Sequence, residues 1–177
     1  MPEVVYYIAT SLDGYIATAD GSVDWLTPFQ ARGEDYGASE LHASVDALLL
    51  GSHTYEFALK LGYWPAADKP SWVFTRRKLA VLHPSITLTS QSPGNVVEIL
   101  ARRGCRRAWL MGGGKLAASF HAGQLISRYI MSVCPILLGG GIPLFAAHSS
   151  STGLVRFVAA KRFKSGLVQL TYDRRNP

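Results

Sequence analysis

The chain has 177 residues, of which 48% are hydrophobic and 17% charged, a balance that predicts a globular protein with a substantial core and a single domain over residues 1–177. Its apolar runs fall short of the roughly 18 residues that a membrane-spanning helix needs, and its start lacks the pattern of a leader, so we expect a cytoplasmic protein with no membrane partner. Lysine and arginine total 18 against 12 acidic residues, a net charge of +6, which favours acidic ligands and leaves nucleic acid open as a partner.

Cysteine and histidine usage indicates neither a disulfide framework nor a metal site. Cys105 and Cys134 match no metal-binding or redox spacing, so we expect both to be reduced structural thiols. The five histidines are scattered along the chain without the spacing of a metal-binding motif. We therefore predict that the protein binds no metal.

Short apolar runs alternate with helical segments through most of the chain. The runs are too continuous for strands with one solvated face and are typical of buried parallel strands. They cover residues 4–10, 46–51, 71–75, 85–89 and 107–112. Helices are predicted over residues 32–44, 53–60 and 93–103, the last with Ser92 as N-cap and Gly104 as its stop. This alternation predicts an α/β fold.

The carboxyl-terminal part has a different pattern. Apolar and polar residues alternate over residues 168–173, and another apolar run precedes the turn sequence Lys-Ser-Gly at 164–166. Such alternation is typical of an antiparallel hairpin with one wetter face. We expect this hairpin to add two antiparallel strands at the end of the sheet.

Glycine, hydroxyl or cationic residues follow three of the predicted strands, in the sequences LLLGSHTYE, VFTRRK and LMGGGKL. Ligands bind outside the carboxyl ends of strands in an open parallel sheet, so these ends are expected to converge on one phosphate-rich molecule such as a nucleotide cofactor. Glycines 112–114 precede a predicted helix, whose N-terminal amides attract an oxyanion that glycine lets approach. A tight turn is the alternative. The run fits neither a Walker loop nor the complete Rossmann fingerprint.

Five stretches resemble the dihydrofolate-reductase-like superfamily in content and order. They are IATSLDGYIATADGSVDWL at 8–26, DALLLGSHTYE at 46–56, VFTR at 73–76, LMGGGKLAASF at 110–120 and PILLGGGIPLF at 135–145. The chain most resembles the carboxyl-terminal reductase domain of bifunctional riboflavin-biosynthesis enzymes and its stand-alone bacterial relatives. The resemblance spans nearly the whole chain and is not specific for a substrate. It implies a three-layer α/β fold, with a mostly parallel central sheet flanked by helices, and NADPH as the cofactor.

The resemblance also implies which residues surround NADPH. The first strand and its loop would hold the nicotinamide, two glycine-containing turns the phosphates, and one further loop the adenosine ribose. The implied nicotinamide wall is Ile8, Ala9 and Ile16; the implied phosphate-binding turns are Gly51, Ser52, His53 and Thr54, then Gly112, Gly113, Gly114, Lys115 and Leu116; the implied ribose loop is Thr75, Arg76 and Arg77.

One of these positions departs from the pattern of the family. Relatives commonly carry arginine after the glycine of the first turn, where this chain has Ser52, so a fixed charge is missing on the adenosine-phosphate side. Arg76 or Arg77 is expected to compensate, because a guanidinium binds phosphate through a bidentate fork. The alternative is that both arginines lie in a solvated loop. The preference for NADPH over NADH depends on whether these arginines bind the phosphate or are solvated.

The candidate residues for protonating the substrate are carboxylates in the first third of the chain. Hydride transfer is the chemistry of the cofactor, so the protein must orient the acceptor and give access to an acid. Asp24 beside Trp25 is the first candidate, since an aromatic wall suits a flat heterocycle and desolvation raises the pKa of an acid. Asp35 precedes the first phosphate-binding turn at a spacing similar to that of the acid in dihydrofolate reductases. Asp13 is expected to organise its own turn, and residues 139–141 to form a turn or bulge rather than a phosphate site.

The resemblance implies an NADPH-dependent reductase of a small heterocycle. The activity implied most directly is reduction of 5-amino-6-(5-phosphoribosylamino)uracil in riboflavin biosynthesis, with dihydrofolate or a pterin as other substrates of the class. A module that binds NADPH or another nucleotide without turnover is the alternative. A nucleic-acid binder ranks below both, so we expect no nucleic-acid partner. A homodimer resembles the habit of the family.

Overall fold

The computed structural model describes residues 1–30, 33–62, 64–146 and 152–175. Its elements follow one another as strands and helices in near alternation until residue 122. In chain order they are β1 Glu3–Ser11, β2 Tyr15–Ala17, a 3₁₀ helix Asp24–Leu26, α1 Thr27–Gln30, α2 Ala38–Ser44, β3 Ala47–Gly51, α3 Ser52–Leu61, β4 Ser71–Phe74, β5 Ile86–Thr89, α4 Pro93–Arg102, β6 Arg107–Gly112, α5 Gly114–Ala122, β7 Arg128–Cys134, β8 Ile142–Pro143, β9 Val155–Arg162 and β10 Val168–Arg174.

Most strands of the described residues form one sheet of eight strands, in the order β5-β4-β3-β6-β1-β7-β10-β9. The strands from β5 to β7 pair in parallel, and β10 and then β9 continue the sheet in antiparallel fashion. Strands β2 and β8 form a separate pair. The predicted α/β class, the mostly parallel sheet and the C-terminal antiparallel hairpin are therefore confirmed.

The central strands are buried on both faces, which explains why their sequences are continuously apolar. Side chains along a strand point alternately to opposite faces. In β1, Tyr6 belongs to a core cluster with Phe120 of α5 and residues of α4, whereas Val5 belongs to a second cluster with Leu41 of α2 and Tyr55 of α3. Helices thus cover both faces of the middle of the sheet, giving the three layers that were expected.

The predicted helix over residues 32–44 is too long. Helix α2 begins only at Ala38, and residue 32 lies outside the described residues. Gly37 has a φ of +89°, and the Asp35 carboxylate accepts hydrogen bonds from Gly37 N at 2.9 Å and Ser39 N at 3.1 Å. These bonds satisfy amides at the helix start and hold the preceding backbone in a turn, a typical competition between a short polar side chain and a helix.

Both cysteines are free, and burial raises the pKa of both thiols, that of Cys134 to about 11. Within the described ranges, no three His, Cys, Asp or Glu side chains are grouped so that they could hold a metal ion. None of the helices found there is long and apolar enough to cross a bilayer.

Candidate functional site

The turns after β3 and β6 meet at the carboxyl edge of the sheet. The two strands are parallel neighbours, so α3 and α5, which follow them directly, begin side by side. A Cβ atom placed on Gly51 would lie 3.4 Å from Gly113 N and 3.6 Å from Gly112 O. The backbones of residues 51, 112 and 113 therefore lie next to one another, with Gly112 buried and the other two half-buried, and this group is called the glycine surface below.

The three consecutive glycines differ in whether the fold requires glycine at their positions. Gly112 has a φ of +102°, a backbone conformation that other residues rarely adopt, and its peptide bond to Gly113 is cis. Gly114 packs so tightly that a Cβ atom there would overlap Pro143 O. Gly113 has neither constraint, because its backbone is extended, with φ −83° and ψ −165°, and a Cβ atom there would make only ordinary contacts. Of the three glycines, only Gly113 lies where neither the backbone conformation nor the packing of the described residues requires glycine.

Two helices begin at the glycine surface without side-chain caps. The N-cap residues of α3 and α5 are Gly51 and Gly113, and no side-chain hydrogen bond of the described residues caps either helix, whereas in α4 Ser92 Oγ accepts a hydrogen bond from Asn95 N. The first amides of a helix lack intrahelical partners, and the helix dipole gives them partial positive charge. Two such helix starts at one surface are suited to a ligand with more than one negative group.

Apolar and hydroxyl side chains flank this surface. Ile16 Cδ1 and Thr54 Oγ1 lie 3.9 Å and 3.8 Å from the Cβ position of Gly113, and Ile8 Cδ1 lies 3.9 Å from that of Gly112. The structure thus brings together residues that were predicted for the nicotinamide wall and for both phosphate-binding turns. Their binding roles remain predictions.

The loop after β4 lies at the same edge, because β4 is the parallel neighbour of β3. Thr75 Oγ1 accepts a hydrogen bond from Arg77 N at 3.0 Å. The Arg77 guanidinium donates to Glu56 of α3 at 2.7 Å, a bond that lowers the pKa of the Glu56 carboxyl. Arg76 is exposed and takes part in none of the ion pairs formed by the described residues. Arg76 is therefore the more available of the two cations.

The remaining predicted cofactor residues lie on the same elements. Ser52 is half-buried at the first position of α3, and His53 next to it is exposed. In α5, Lys115 is exposed and Leu116 is half-buried. Ala9 is a half-buried residue of β1. No hydrogen bond of the described residues assigns a role to these side chains, which stay predictions.

The predicted acids are not hydrogen-bonded to the glycine surface in the described part of the chain. Asp24 is exposed at the start of the 3₁₀ helix, while Trp25 is buried against Tyr36 and Phe163. Hydrogen bonds from Ser39 and from an adjacent amide lower the pKa of Asp35, and a carboxyl with a lowered pKa is more completely ionised at neutral pH, so it less often carries a proton to donate. The roles of Asp24 and Asp35 as acids in the reaction stay predictions.

Asp13 joins two loops that are distant in sequence. Its carboxylate accepts hydrogen bonds from Ser11 Oγ at 2.6 Å, Leu138 N at 3.1 Å and Gly139 N at 2.7 Å. The Ser11 hydroxyl accepts in turn from Tyr15 N at 2.9 Å. Asp13 does organise its own turn, as predicted, and it also fixes the loop before β8, a contact between distant segments that the local sequence does not indicate.

The backbone bends at residues 139–141 and no helix begins between them and Ala146, which agrees with the predicted turn or bulge. Gly141 has a φ of +143°, and a Cβ atom there would overlap Ala17 O.

Tyr6 is a site residue that was not predicted from the sequence, because it lies in an apolar run typical of a buried strand. Its hydroxyl donates to Leu144 O at 3.1 Å and lies 4.0 Å from the Cβ position of Gly112. The two adjacent tyrosines of this run, Tyr6 and Tyr7, were the available signal.

The sheet order, the C-terminal hairpin and the glycine surface define a dihydrofolate-reductase-like α/β protein. The chain belongs to the RibD C-terminal domain family, whose sequence profile it matches over residues 2–169. The family resemblance seen in the sequence is thereby confirmed.

Individual relatives agree with this assignment. The chain is 36% identical over 173 residues to the uncharacterized protein YwjB of Bacillus subtilis (strain 168), covering 97% of this chain and 98% of YwjB. It is 30% identical over 159 residues to the riboflavin biosynthesis protein RibD of Mycobacterium tuberculosis, covering 80% of this chain but 44% of RibD, so it spans less than half of that protein. A solved structure from Shewanella sp. PV-4, provisionally assigned to riboflavin biosynthesis, matches with a TM-score of 0.87 at 30% identity, over 99% of this chain and 100% of that one.

Proposed function

We propose that the protein is an NADPH-dependent oxidoreductase of a small heterocycle, with an activity like the reduction of 5-amino-6-(5-phosphoribosylamino)uracil. The observation that carries this proposal is the meeting of two uncapped helix starts at the glycine surface, beside Ile8 and Ile16. Membership of the RibD C-terminal domain family supports an oxidoreductase and a riboflavin-pathway pyrimidine as the substrate class.

The residues of the glycine surface fit a dinucleotide. A side chain on Gly113 would occupy the space between Thr54 and Ile16, so glycine there keeps the first amides of α5 accessible. Those amides and the amides of α3 would bind the two phosphates, and Arg76 would bind a ribose phosphate. Bound NADPH supplies a hydride.

The side chains around the proposed nicotinamide position have a separate task. Ile8 and Ile16 would support the ring and exclude water from the reacting carbon, which protects a hydride from side reactions. The accepting heterocycle needs a proton where a nitrogen or oxygen gains one. Asp24 is the proposed donor, because its carboxylate takes part in no side-chain hydrogen bond of the described residues, in contrast to Asp35.

Substrate-dependent oxidation of NADPH tests the proposal. Purified protein is incubated with NADPH and, in parallel, with 5-amino-6-(5-phosphoribosylamino)uracil, dihydrofolate and oxidised pterins, and loss of NADPH absorbance is followed. Turnover with one of them is expected. Turnover with none, together with tight NADPH binding in a fluorescence titration, would instead establish cofactor binding without catalysis. That second candidate is favoured by the hydrogen bonds of the Asp35 carboxylate to the amides of Gly37 and Ser39 at the start of α2.

We also propose a homodimer, supported by one open face of the sheet. Residues that point to the same side of β7, β10 and β9 are apolar, and the pairing register places Met131, Leu170 and Ala160 in one row. The next row carries Tyr172 and Phe157, and Phe157 is 56% exposed. Alternation of apolar and polar residues in an antiparallel strand implies that its apolar face is packed. At β7 this face is partly covered, because Tyr129 packs against Phe145 and its hydroxyl lies 3.2 Å from Nδ1 of His121 in α5, whereas at β9 no contact of the described residues buries Phe157.

The total surface supports a second copy as the cover. The chain exposes 9851 Å², whereas a compact monomer of this mass exposes about 8,500 Å². The difference exceeds the roughly 800 Å² that each partner buries in a standard interface. Sedimentation of the wild type as a dimer, and of Phe157→Lys as a monomer, is expected, with Val81→Lys, another exposed apolar position, as the matched control. A monomeric wild type at tens of micromolar would contradict the proposal.

A further inference from the structure

The loop held by Asp13 continues into contacts with both sides of the proposed cofactor site. After Gly139, β8 pairs with β2, placing Pro143 opposite Tyr15. Pro143 O then abuts Gly114, the first residue of α5, and Ala146 N donates to Gly114 O at 3.2 Å. The segment from residue 138 to residue 146 thus begins at the Asp13 carboxylate and ends at the start of α5.

The same carboxylate controls the turn that carries Ile16. Asp13 accepts from the Ser11 hydroxyl, and that hydroxyl accepts from Tyr15 N, one residue before Ile16. Ile16 Cδ1 in turn lies 3.9 Å from the Cβ position of Gly113. One exposed side chain therefore connects the apolar wall of the site with the helix start that bears its amides.

We propose that Asp13 is a positioning residue that sets the apolar wall at Ile16 relative to the amino terminus of α5, by bonding Ser11 together with the amides of Leu138 and Gly139. This role rests on the proposed binding of NADPH at the glycine surface. The cofactor spans both halves of the site, so their relative position fixes where the nicotinamide lies. A ligand that touches only the phosphate-binding half does not depend on it.

The chemistry of the three bonds requires a carboxylate. Oδ1 accepts from Ser11 and Leu138, and Oδ2 accepts from Gly139. An asparagine has one acceptor oxygen and a donor NH₂ group, so at position 13 it would turn that NH₂ toward a donor. Hydrogen bonds from Ser11 and from the two loop amides also lower the pKa of the Asp13 carboxyl, which keeps it ionised at neutral pH.

Asp13→Asn tests this role, and the chain offers a matched control. Asp20 lies in the next turn, is equally exposed, and accepts from Thr18 Oγ1 and Ser22 N in the same local pattern. It has no bond to residues 138–146 among the described residues. Dissociation constants are measured for NADPH and for adenosine 2′,5′-bisphosphate, which lacks the nicotinamide half, in the wild type, Asp13→Asn and Asp20→Asn.

The expected result is an increase of about tenfold in the NADPH dissociation constant of Asp13→Asn, the factor for one lost charge-assisted hydrogen bond, with an unchanged constant for the fragment. Asp20→Asn should match the wild type for both ligands. Equal affinities of Asp13→Asn and wild type for NADPH would overturn the positioning role, as would equal weakening of both ligands, which indicates general loosening of the fold. A wild type that binds neither ligand would refute the proposed function itself, and with it the site that Asp13 is proposed to position.

Discussion

Replacing Gly113 by valine separates the requirement for a ligand from the requirement for a fold. The extended backbone of Gly113 is one that β-branched residues favour. The nearest atoms to a new Cβ would be Thr54 Oγ1 at 3.8 Å and Ile16 Cδ1 at 3.9 Å, which are ordinary contacts. We therefore expect a folded protein with the same thermal stability as the wild type within a few degrees.

Cofactor affinity should respond very differently. The valine methyl groups would fill the space in front of the first amides of α5, and a phosphate would lose at least one hydrogen bond to them. A hydrogen bond to a charged group contributes about 1.5–3 kcal/mol, so the NADPH dissociation constant should rise about 10- to 150-fold. Valine at Gly114 would instead lower the stability of the fold. Its Cβ atom would overlap Pro143 O, and overpacking of that kind costs about 1–3 kcal/mol of stability.

Fluorescence titration with NADPH, combined with thermal unfolding, measures both effects. Gly94→Ala is the control for NADPH affinity, since no atom outside its chain neighbours and its own helix backbone lies within 4 Å of a Cβ atom at this position in α4. Unchanged NADPH affinity in a folded Gly113→Val protein would refute the reasoning, since the glycines would then serve only the turn. Strong destabilisation of Gly113→Val would contradict the expectation that the valine side chain fits beside Thr54 and Ile16.

Three further predictions concern other parts of the molecule. Alanine at both Arg76 and Arg77 should weaken NADPH by about 1.5–3 kcal/mol and leave NADH unchanged, because NADH lacks the ribose phosphate; equal changes in the two dissociation constants would point to a general charge effect. Ser92→Ala removes the side-chain cap of α4 and should lower the free energy of unfolding in urea by about 0.5–2 kcal/mol, an effect that Ser92→Asn should largely spare. The hydrogen bond from Arg128 lowers the pKa of Asp173, so this carboxylate stabilises the fold fully above the unfolded-state pKa of about 3.9 and loses that effect as the pH falls through its lower folded-state pKa. Asp173→Asn should therefore flatten the acid side of the curve of melting temperature against pH, and an identical slope would contradict the assignment.

Elements with a strong local signal could be predicted from the sequence. Strand β6 at residues 107–112 was placed at its observed bounds, and α4 begins where Ser92 and Pro93 predict it. Buried parallel strands are continuously apolar because helices cover both of their faces, and a cap is a property of adjacent residues. Such signals are short-range and survive in any tertiary context.

Other elements depend on partners that are distant in the sequence. Strand β7, at Arg128–Cys134, mixes polar and apolar residues, because it lies at the transition from the covered middle of the sheet to its open end. Strand β8 has two residues and exists through its pairing with β2. The start of α2 was misplaced because the Asp35 side chain bonds to Gly37 N and Ser39 N, which helical periodicity does not reveal.

The candidate site, like the fold, could be predicted only where its signal is local in the sequence. The motif around residues 110–120 predicted that glycines meet a helix start, but it could not separate the roles of the individual glycines. Gly114 is constrained by Pro143, which lies far along the chain. The bonds from Asp13 to Leu138 and Gly139 likewise join loops that only the folded sheet brings together.

Strand β9 has a consequence for behaviour at high concentration. It is the last strand of the sheet, so its outer backbone groups have no neighbouring strand among the described residues, and such an edge is a template for aggregation. Three of its eight residues, Arg156, Lys161 and Arg162, are cationic. In an antiparallel pairing of two β9 edges about their midpoint, Arg156 would lie opposite Lys161, and like charges facing each other across strands repel. These cations should therefore keep the molecules from joining edge to edge into fibrils, and salt, which screens that repulsion, should weaken the protection.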